Sequence, residues 1–172
     1  NDADGNKAYK ISLSAAGDEL DENPLVTTFA GSSQGSTDAT GTSAKFYEPN
    51  GLTTDGTNLY VADRYNNKVR KIVISTGAVT TLAGNFNKPI GITTDGENLY
   101  VTDTGNYLIR KIVITTGEVT NLAGSGQGGS ADGTGNAASF NDPAEITTDG
   151  TNLYVADYGN HVIRKIVIAT GE

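Results

Sequence analysis

Cysteine is absent from this chain of 172 residues, which excludes disulfides, thiolate chemistry and cysteine-ligated zinc. Proline is scarce, with 4 residues against 22 glycines, so the composition is neither collagen-like nor typical of disorder. Basic residues are also few, and 12 Lys and Arg against 20 Asp and Glu leave a net charge of −8. Nucleic-acid binding draws on Lys and Arg that meet phosphates, so we expect no nucleic-acid partner. No apolar run approaches the roughly 20 residues that cross a bilayer, so we expect no membrane insertion.

The lack of cysteine is compatible with an exported bacterial protein, and we expect an extracellular, cell-surface or periplasmic location. The sequence begins with Asn1 rather than Met, and no signal peptide precedes it. Either a leader has been removed or the chain has been cut from a longer one. The sequence leaves both alternatives open.

An internal repeat covers most of the chain. Its motif reads Thr-Thr-Asp-Gly-x-Asn-Leu-Tyr-Val, then Ala or Thr, then Asp, and it continues to Arg-Lys-Ile-Val-Ile. The three copies begin at Pro49, Pro89 and Pro143. The interval between the last two copies is longer, and its extra residues all lie in the Gly/Ser-rich stretch 124–139. Insertion at a single place is typical of a loop on one face of a repeat array.

Each repeat predicts four short strands. The Asp-Gly pairs at 55–56, 95–96 and 149–150 are hairpin signals between two apolar runs. Leu-Tyr-Val-Ala-Asp is the second strand, the Arg-Lys-Ile-Val-Ile region is the third, and Val-Thr-Thr-Leu-Ala is the fourth. Four strands in about 40 residues are typical of a β-propeller blade. The N-terminal residues fit the third and fourth strands, so we predict about thirteen strands in total.

These strands give an all-β fold of four-stranded antiparallel blades, about three to three and a half of them in one propeller segment over residues 1–172. We place the units as a partial blade at 1–32, blades at 49–84 and 88–124, and a partial blade at 143–172. Gly/Ser-rich linkers at 33–48 and 125–142 connect them.

The repeats resemble the NHL-repeat family. The segment that carries the resemblance best is Asp-Tyr-Gly-Asn-His-Val-Ile-Arg at 157–164. The same slots hold Asn66-Asn67 in the first repeat and Asn106-Tyr107 in the second. The long Gly/Ser-rich linkers resemble those of NHL proteins exported by bacteria. The resemblance implies a propeller usually of six blades, of which this chain would be half. Two chains closing one ring, a longer chain, and a larger or open assembly all remain possible.

Two rows of charged residues recur once per blade, namely Asp63, Asp103 and Asp157, and Arg70, Arg110 and Arg164. They could line a channel and hold a charged ligand. A structural role is favoured, because ligands rarely contact all blades alike. In that role the Asp accepts turn amides, while the Arg packs between blades and reaches a carboxylate.

We therefore predict a non-enzymatic interaction module that binds a protein or glycan through its rim loops, with no cofactor. The aromatic and amide side chains between the second and third strands suit such contacts. The predicted partner-binding residues are Tyr65, Asn66, Asn106, Tyr107, Tyr158, Asn160 and His161. The alternative is a structural subunit whose blades associate between chains into a ring or an extracellular filament.

An enzyme of the lactonase or lyase kind would need a metal-lined tunnel, and we expect no metal site. His161 is the only histidine, which cannot build a zinc site by itself. The Asp/Gly stretches 1–6 and 132–133 offer oxygen ligands for Ca²⁺, but residues 1–6 lack the bidentate Glu of a calcium loop. The acidic residues between Asp18 and Glu22 read as a solvated hairpin tip.

Overall fold

The computed structural model describes residues 8–11, 25–169 and 171, with side chains from residue 25 onward. The predicted stretches 1–6 and 18–22 lie outside these residues. The described residues form thirteen strands, as predicted: β1 (Ala8–Ile11), β2 (Val26–Ala30), β3 (Pro49–Thr54), β4 (Asn58–Asp63), β5 (Lys68–Val73), β6 (Val79–Ala83), β7 (Ile92–Thr94), β8 (Asn98–Asp103), β9 (Leu108–Val113), β10 (Val119–Ala123), β11 (Pro143–Thr148), β12 (Asn152–Asp157) and β13 (Val162–Val167).

The strands form separate antiparallel sheets in chain order. β3 to β6 make the first blade and β7 to β10 the second, each with four strands, while β11 to β13 make a three-stranded third blade. β1 and β2 form a hairpin whose register matches that of a third and a fourth strand. The predicted fold class, a partial β-propeller of antiparallel blades, is confirmed.

A side-chain network closes the hairpin between the first two strands of each blade. In the first blade, Asp55 Oδ1 accepts the backbone N–H groups of Thr57 and Asn58 at 2.8 and 2.7 Å. Its Oδ2 accepts the hydroxyl of Tyr60 at 2.7 Å. Burial and this bond raise the pKa of Tyr60 to about 12. Asp95 and Asp149 repeat the arrangement in the other two blades.

The hydrophobic core lies between the sheets rather than within one of them. One cluster joins Tyr60, Ala62 and Val69 of the first blade to Leu99 and Val101 of the second. An equivalent cluster joins the second blade to the third. Successive side chains point to opposite faces of a strand, so each central strand contributes to the cores on both of its sides. This face-to-face packing of successive sheets is the arrangement of propeller blades.

The innermost strands approach each other closely where the repeats carry glycine. The backbone N–H of Gly51 donates to the carbonyl of Ile90 at 2.8 Å. A Cβ at Gly91 would lie 2.5 Å from the carbonyl oxygen of Ala144, which is closer than real Cβ atoms come. Glycine is therefore required where β3 meets β7 and where β7 meets β11.

The two long connections pack against the blades. Short parallel bridges join Gln34 to Phe46 and Gly128 to Phe140. Phe46 and Phe140 are each 1% exposed. The ends of these connections are therefore anchored in the core. Among the described residues, no helix is long and apolar enough to span a membrane.

Candidate functional site

The turns after the second strand and the residues before the first strand meet at one end of the blades. Each turn is a single 3₁₀ turn, formed by Arg64–Asn66, Thr104–Asn106 and Tyr158–Asn160. Each is followed by a residue with left-handed backbone, and these are Asn67, Tyr107 and His161 with φ of 56°, 57° and 60°. We call this end of the three blades the mouth.

A buried aspartate holds each mouth turn in place. Asp63 is 0% exposed and accepts the backbone N–H of Tyr47, the side-chain amide of Asn66 and the guanidinium of Arg70, at 2.8, 2.8 and 2.7 Å. The other two blades repeat these contacts through Asp103 and Asp157. The structural interpretation of the Asp and Arg rows is confirmed.

The arginine of each blade also lies over an aromatic ring. The guanidinium carbon of Arg70 is 5.0 Å from the ring centroid of Phe46, and Arg110 and Arg164 take the same position over Phe86 and Phe140. This cation–π contact ties the third strand to the segment that enters the blade. The mouth is thus built on a scaffold of identical residues in all three repeats.

The predicted asparagines belong to this scaffold. Asn66 Nδ2 donates to Asp63 and to the carbonyl of Gly35, at 2.8 and 2.6 Å. Asn160 makes the matching bonds to Asp157 and Gly129, and Asn106 bonds Asp103. Their amide groups stabilise the turns and the long connections. Contact with a partner through these three residues stays a prediction.

The predicted tyrosines lie in different surroundings. Tyr65 is 37% exposed, and its ring stacks at 5.1 Å on that of Tyr47. Tyr158 is 72% exposed, whereas Tyr107 is half-buried against Gly128. His161 is exposed and lines a separate shallow depression beside β13. Tyr107 and Tyr158 thus line one cavity at the mouth, and Tyr158 also lines the depression of His161.

A cavity of about 500 Å³ opens at the mouth between the three blades. Its polar rim carries Arg64, Lys88, Asp142 and the two tyrosines Tyr107 and Tyr158. Backbone at Gly105 and Ala144 forms part of its wall. Cationic, anionic and aromatic groups thus face one space, a combination that suits a polar partner.

Sequence reasoning missed Arg64, Lys88, Asn87 and Asp142. They could have been found by comparing the three repeats, because they occupy positions at which the residue type differs while the surrounding residues are the same. The position after the buried aspartate holds Arg64, Thr104 and Tyr158 in the three repeats. The position before the proline that begins each repeat holds Glu48, Lys88 and Asp142. Positions that vary among near-identical repeats are free of the scaffold's demands and can be specialised for contact.

The residues before proline carry backbone strain. Glu48, Lys88 and Asp142 have φ of 48°, 53° and 50°. Steric contact with the proline ring disfavours helical backbone at the preceding residue, and left-handed backbone is uncommon for any residue other than glycine. The main chain of Lys88 is held by Asn67, whose Oδ1 accepts its N–H at 2.9 Å. Three charged residues therefore occupy equivalent positions of strained backbone, one before each blade.

The first blade differs from the other two in one matched pair of residues. Asn87 covers Gly105, and Asn141 covers Gly159, so closely that a Cβ on either glycine would lie 2.6 Å from the amide. In the first blade the same two positions hold the stacked pair Tyr47 and Tyr65. Arg64 and Lys88 lie over the Tyr65 ring at 4.9 and 5.9 Å. An aromatic pair flanked by two cations therefore replaces an Asn–Gly pair.

Within the described residues, no group of three or more His, Cys, Asp or Glu side chains lies close enough together to hold a metal ion. Asp132, in one of the two stretches considered for Ca²⁺, binds the guanidinium of Arg164 at 2.8 Å instead.

Fold and mouth together define a partial β-propeller with a polar and aromatic mouth. No protein-family model and no curated protein matches the sequence. Solved structures match it as a fold. A structural genomics protein of unknown function from Bacteroides thetaiotaomicron VPI-5482 is 26% identical with a TM-score of 0.66, over 84% of this chain and 40% of that one.

Two further structures share the fold. An auxiliary nutrient binding protein from the same organism is 18% identical with a TM-score of 0.64, over 94% of this chain and 43% of that one. Virginiamycin B lyase from Staphylococcus aureus is 18% identical with a TM-score of 0.52, over 86% of this chain and 46% of that one. The chain spans less than half the length of each of these three proteins.

Proposed function

We propose that this chain is an NHL-type propeller segment that acts as a non-enzymatic interaction module outside the cytoplasm and binds a protein or glycan at its mouth. The observation that carries the proposal is the substitution of Tyr47 and Tyr65 for the Asn–Gly pair of the other blades. Tyr brings a large contact area at low entropic cost, and it is enriched in binding surfaces. The propeller described as an auxiliary nutrient binding protein is a precedent for a binding role on this fold.

Electrostatics support a polar partner. Arg64 and Lys88 bring positive charge to the Tyr65 ring, and Glu48 lies 3.7 Å from Arg64 across a partly exposed ion pair. Such exposed pairs contribute little to stability, about 0 to 1 kcal/mol, so a partner can rearrange them at low cost. Tyr158, on the other side of the cavity, adds a second exposed ring.

The test uses a variant that the chain itself supplies. Tyr47→Asn with Tyr65→Gly gives the first blade the pair that the other two blades already carry, so we expect it to fold. Labelled wild-type chain and the variant are applied to a printed glycan panel and to a phage-displayed peptide library. We expect ligands that the wild type retains and the variant loses. Glu97→Ala, at the opposite end of the blades, is the control and should retain them.

The opposite result is equally clear. Ligands that bind the variant as tightly as the wild type would show that the aromatic pair is not part of the binding site. The same treatment of Tyr107 and Tyr158, each changed to Ala, tests the other side of the cavity. Retention of every ligand by both sets of variants contradicts the proposal.

A second candidate function is favoured by a separate observation. Apolar side chains are exposed at both ends of the blade array: Leu25, Val26 and Leu52 near the start, and Val162 and Ile163 on β13. Association with blades of a second chain would bury them, as further blades of the same chain would. Absolute mass in solution, measured by light scattering over a range of concentrations, tests this candidate, and a monomer throughout contradicts it.

A further inference from the structure

The second blade lacks a segment that packs against the other two. Residues 32–44 belong to the long connection before the first blade, and residues 125–138 belong to the one before the third. Before the second blade, Gly84 is followed directly by Asn85. The long connections accept hydrogen bonds from the blade that follows them. The second blade carries the corresponding donors, and no described residue accepts from them.

The arginine of the third strand shows the difference most clearly. Arg70 and Arg164 each donate to the buried aspartate of their own blade, to a carbonyl where the chain enters the blade, and to a carbonyl and an aspartate of the long connection. Among the described residues, Arg110 donates only to Asp103, at 3.0 Å. Its side chain is 16% exposed, whereas that of Arg70 is fully buried. The Nη2 group of Arg110 is therefore available to a carboxylate.

The outer strand of the second blade has the same unfilled positions. In the first blade, the backbone N–H groups of Val79 and Thr81 donate to the long connection at 2.8 and 2.9 Å. Val119 and Asn121 take the same register in β10, so their N–H groups point outward from its edge. Val79 is 2% exposed beneath the long connection, whereas Val119 is only partly buried. The edge of β10 thus offers two backbone donors and an apolar side chain.

Asn106 adds a further donor where this edge approaches the mouth turn. Its counterpart Asn66 donates both to Asp63 and to the carbonyl of Gly35 in the long connection. Within the part of the chain that the structure describes, Asn106 donates only to the aspartate of its blade. A guanidinium, an amide and a row of edge N–H groups are the donors that an extended chain with a carboxylate requires.

We propose that the second blade binds an extended acidic segment of a partner protein along β10, with an aspartate of the partner in the place that Asp38 takes in the first blade. That aspartate accepts from Arg110 and from the backbone N–H of Asn121. The segment pairs with the free edge of the strand, a common mode of peptide recognition. None of the residues that line the mouth cavity supplies these donors, so this site is separate from the proposed binding site at the mouth.

The long connections show which chain fits this surface. They read Gly-Ser-Thr-Asp-Ala-Thr-Gly at 35–41 and Gly-Ser-Ala-Asp-Gly-Thr-Gly at 129–135. The aspartate binds the arginine in both, and its neighbours are small. Asp38 also accepts the hydroxyl of Thr81 at 3.1 Å. Asn121 replaces this threonine in the second blade, and its side-chain amide is likewise a donor to a carboxylate.

Glu118 gives the second blade a selectivity of its own. It takes the place of Ala78, which lies opposite Thr40 of the long connection. Thr40 follows Asp38 by two positions, and opposite charges on facing strands stabilise their pairing. The partner's segment should therefore carry Lys or Arg two positions after its aspartate.

A labelled synthetic peptide tests the proposal. It has the sequence of residues 33–43 with Thr40→Lys, and fluorescence anisotropy should show saturable binding to the full chain with a Kd below about 1 mM. Asp38→Asn in the peptide should weaken binding at least about tenfold, the effect of losing charge-assisted hydrogen bonds. Restoring threonine at position 40 should weaken it about two- to fivefold. With the Glu118→Ala protein, that second difference should disappear.

The chain supplies a matched variant of the protein. Insertion of residues 32–44 between Gly84 and Asn85 gives the second blade the segment that the other two have, so we expect this variant to fold. Its own aspartate should then occupy the site, and peptide binding should fall at least about tenfold. An insertion of the same length made of Gly and Ser is the control and should retain binding. Arg110→Lys keeps a positive charge beside Asp103 but loses the planar pair of donors, and it should also weaken binding about tenfold.

Each remaining outcome would overturn the proposal. Undiminished binding of the Asp38→Asn peptide, or undiminished binding after insertion of residues 32–44, excludes the aspartate from the contact. No saturable binding to the wild type excludes the site. Competition by N-acetyl-aspartate amide as strong as that by the unlabelled peptide would show a site for a free carboxylate and would exclude the extended segment as its occupant.

Discussion

The guanidinium of Arg70 and the carboxylate of Asp63 form an ion pair of 2.7 Å in which neither side chain is exposed to solvent. Within the first blade, the pair joins the third strand, β5, to the end of the second strand, β4. Asp63 also holds the mouth turn through its hydrogen bond from Asn66. The scaffold beneath the candidate binding residues thus depends on a buried charge pair.

Removal of one member should leave the other charge buried and unpaired. We expect Arg70→Met to lower the free energy of unfolding by about 3 to 5 kcal/mol, as for other broken buried pairs. Arg164→Met is the matched control, since that arginine is 12% exposed in its equivalent pair with Asp157. Urea denaturation measures both. A loss at Arg70 no larger than the loss at Arg164 would contradict the argument from burial.

The hairpin aspartates predict a loss of stability in acid. Burial tends to raise the pKa of Asp55, but hydrogen bonds from Asn58, Tyr60 and Thr57 outweigh it and leave the pKa lowered. A lowered pKa in the folded state stabilises the fold above the unfolded value near 3.9, and this contribution is lost as the pH falls below it.

We therefore expect Asp55→Asn to lower the urea midpoint at pH 7 and the difference from wild type to shrink below about pH 4. Urea titrations at pH 7, 5, 4 and 3 check this. Glu97→Gln removes an exposed carboxylate from the hairpin of the second blade and should show no such trend. A difference that grows toward acid pH would reverse the assigned sign.

Asn67 should matter more to the mouth than its counterpart His161. Both have left-handed backbone, which asparagine tolerates better than alanine does. Asn67 also accepts the N–H of Lys88 at 2.9 Å, whereas the His161 side chain is exposed. We expect Asn67→Ala to cost about 1 to 2 kcal/mol and His161→Ala less. Equal losses in urea denaturation would show that the bond to Lys88 contributes nothing.

Gly91 should not tolerate a side chain. A Cβ there would lie 2.5 and 2.9 Å from backbone atoms of Ala144 and Glu145, which can move only if two blades separate. We expect Gly91→Ala to cost about 1 to 3 kcal/mol, as overpacking does. Glu145→Ala, at the equivalent exposed position of the third blade, should be nearly neutral. A neutral Gly91→Ala would mean that the blades separate at little cost.

The sequence by itself determined the strands, their order and the scaffold. Local turn chemistry and residue spacing, which repeat with each blade, were sufficient for three features. These are the Asp-Gly hairpins, the alternation along Leu-Tyr-Val-Ala, and the rows that include Asp63 and Arg70. Because three copies were available, even the structural role of the Asp and Arg rows could be inferred.

Only the tertiary structure decided which variable residues meet. Arg64, Lys88, Asp142 and Tyr158 are far apart in sequence and converge because successive blades pack face to face with their turns at one end. It also showed that Asn66 and Asn160 donate to the carbonyls of Gly35 and Gly129 in the long connections, since donor and acceptor of these bonds come from different segments. The stacking of Tyr47 on Tyr65 and the exposure of Ile163 likewise depend on long-range packing, which spacing along one chain does not encode.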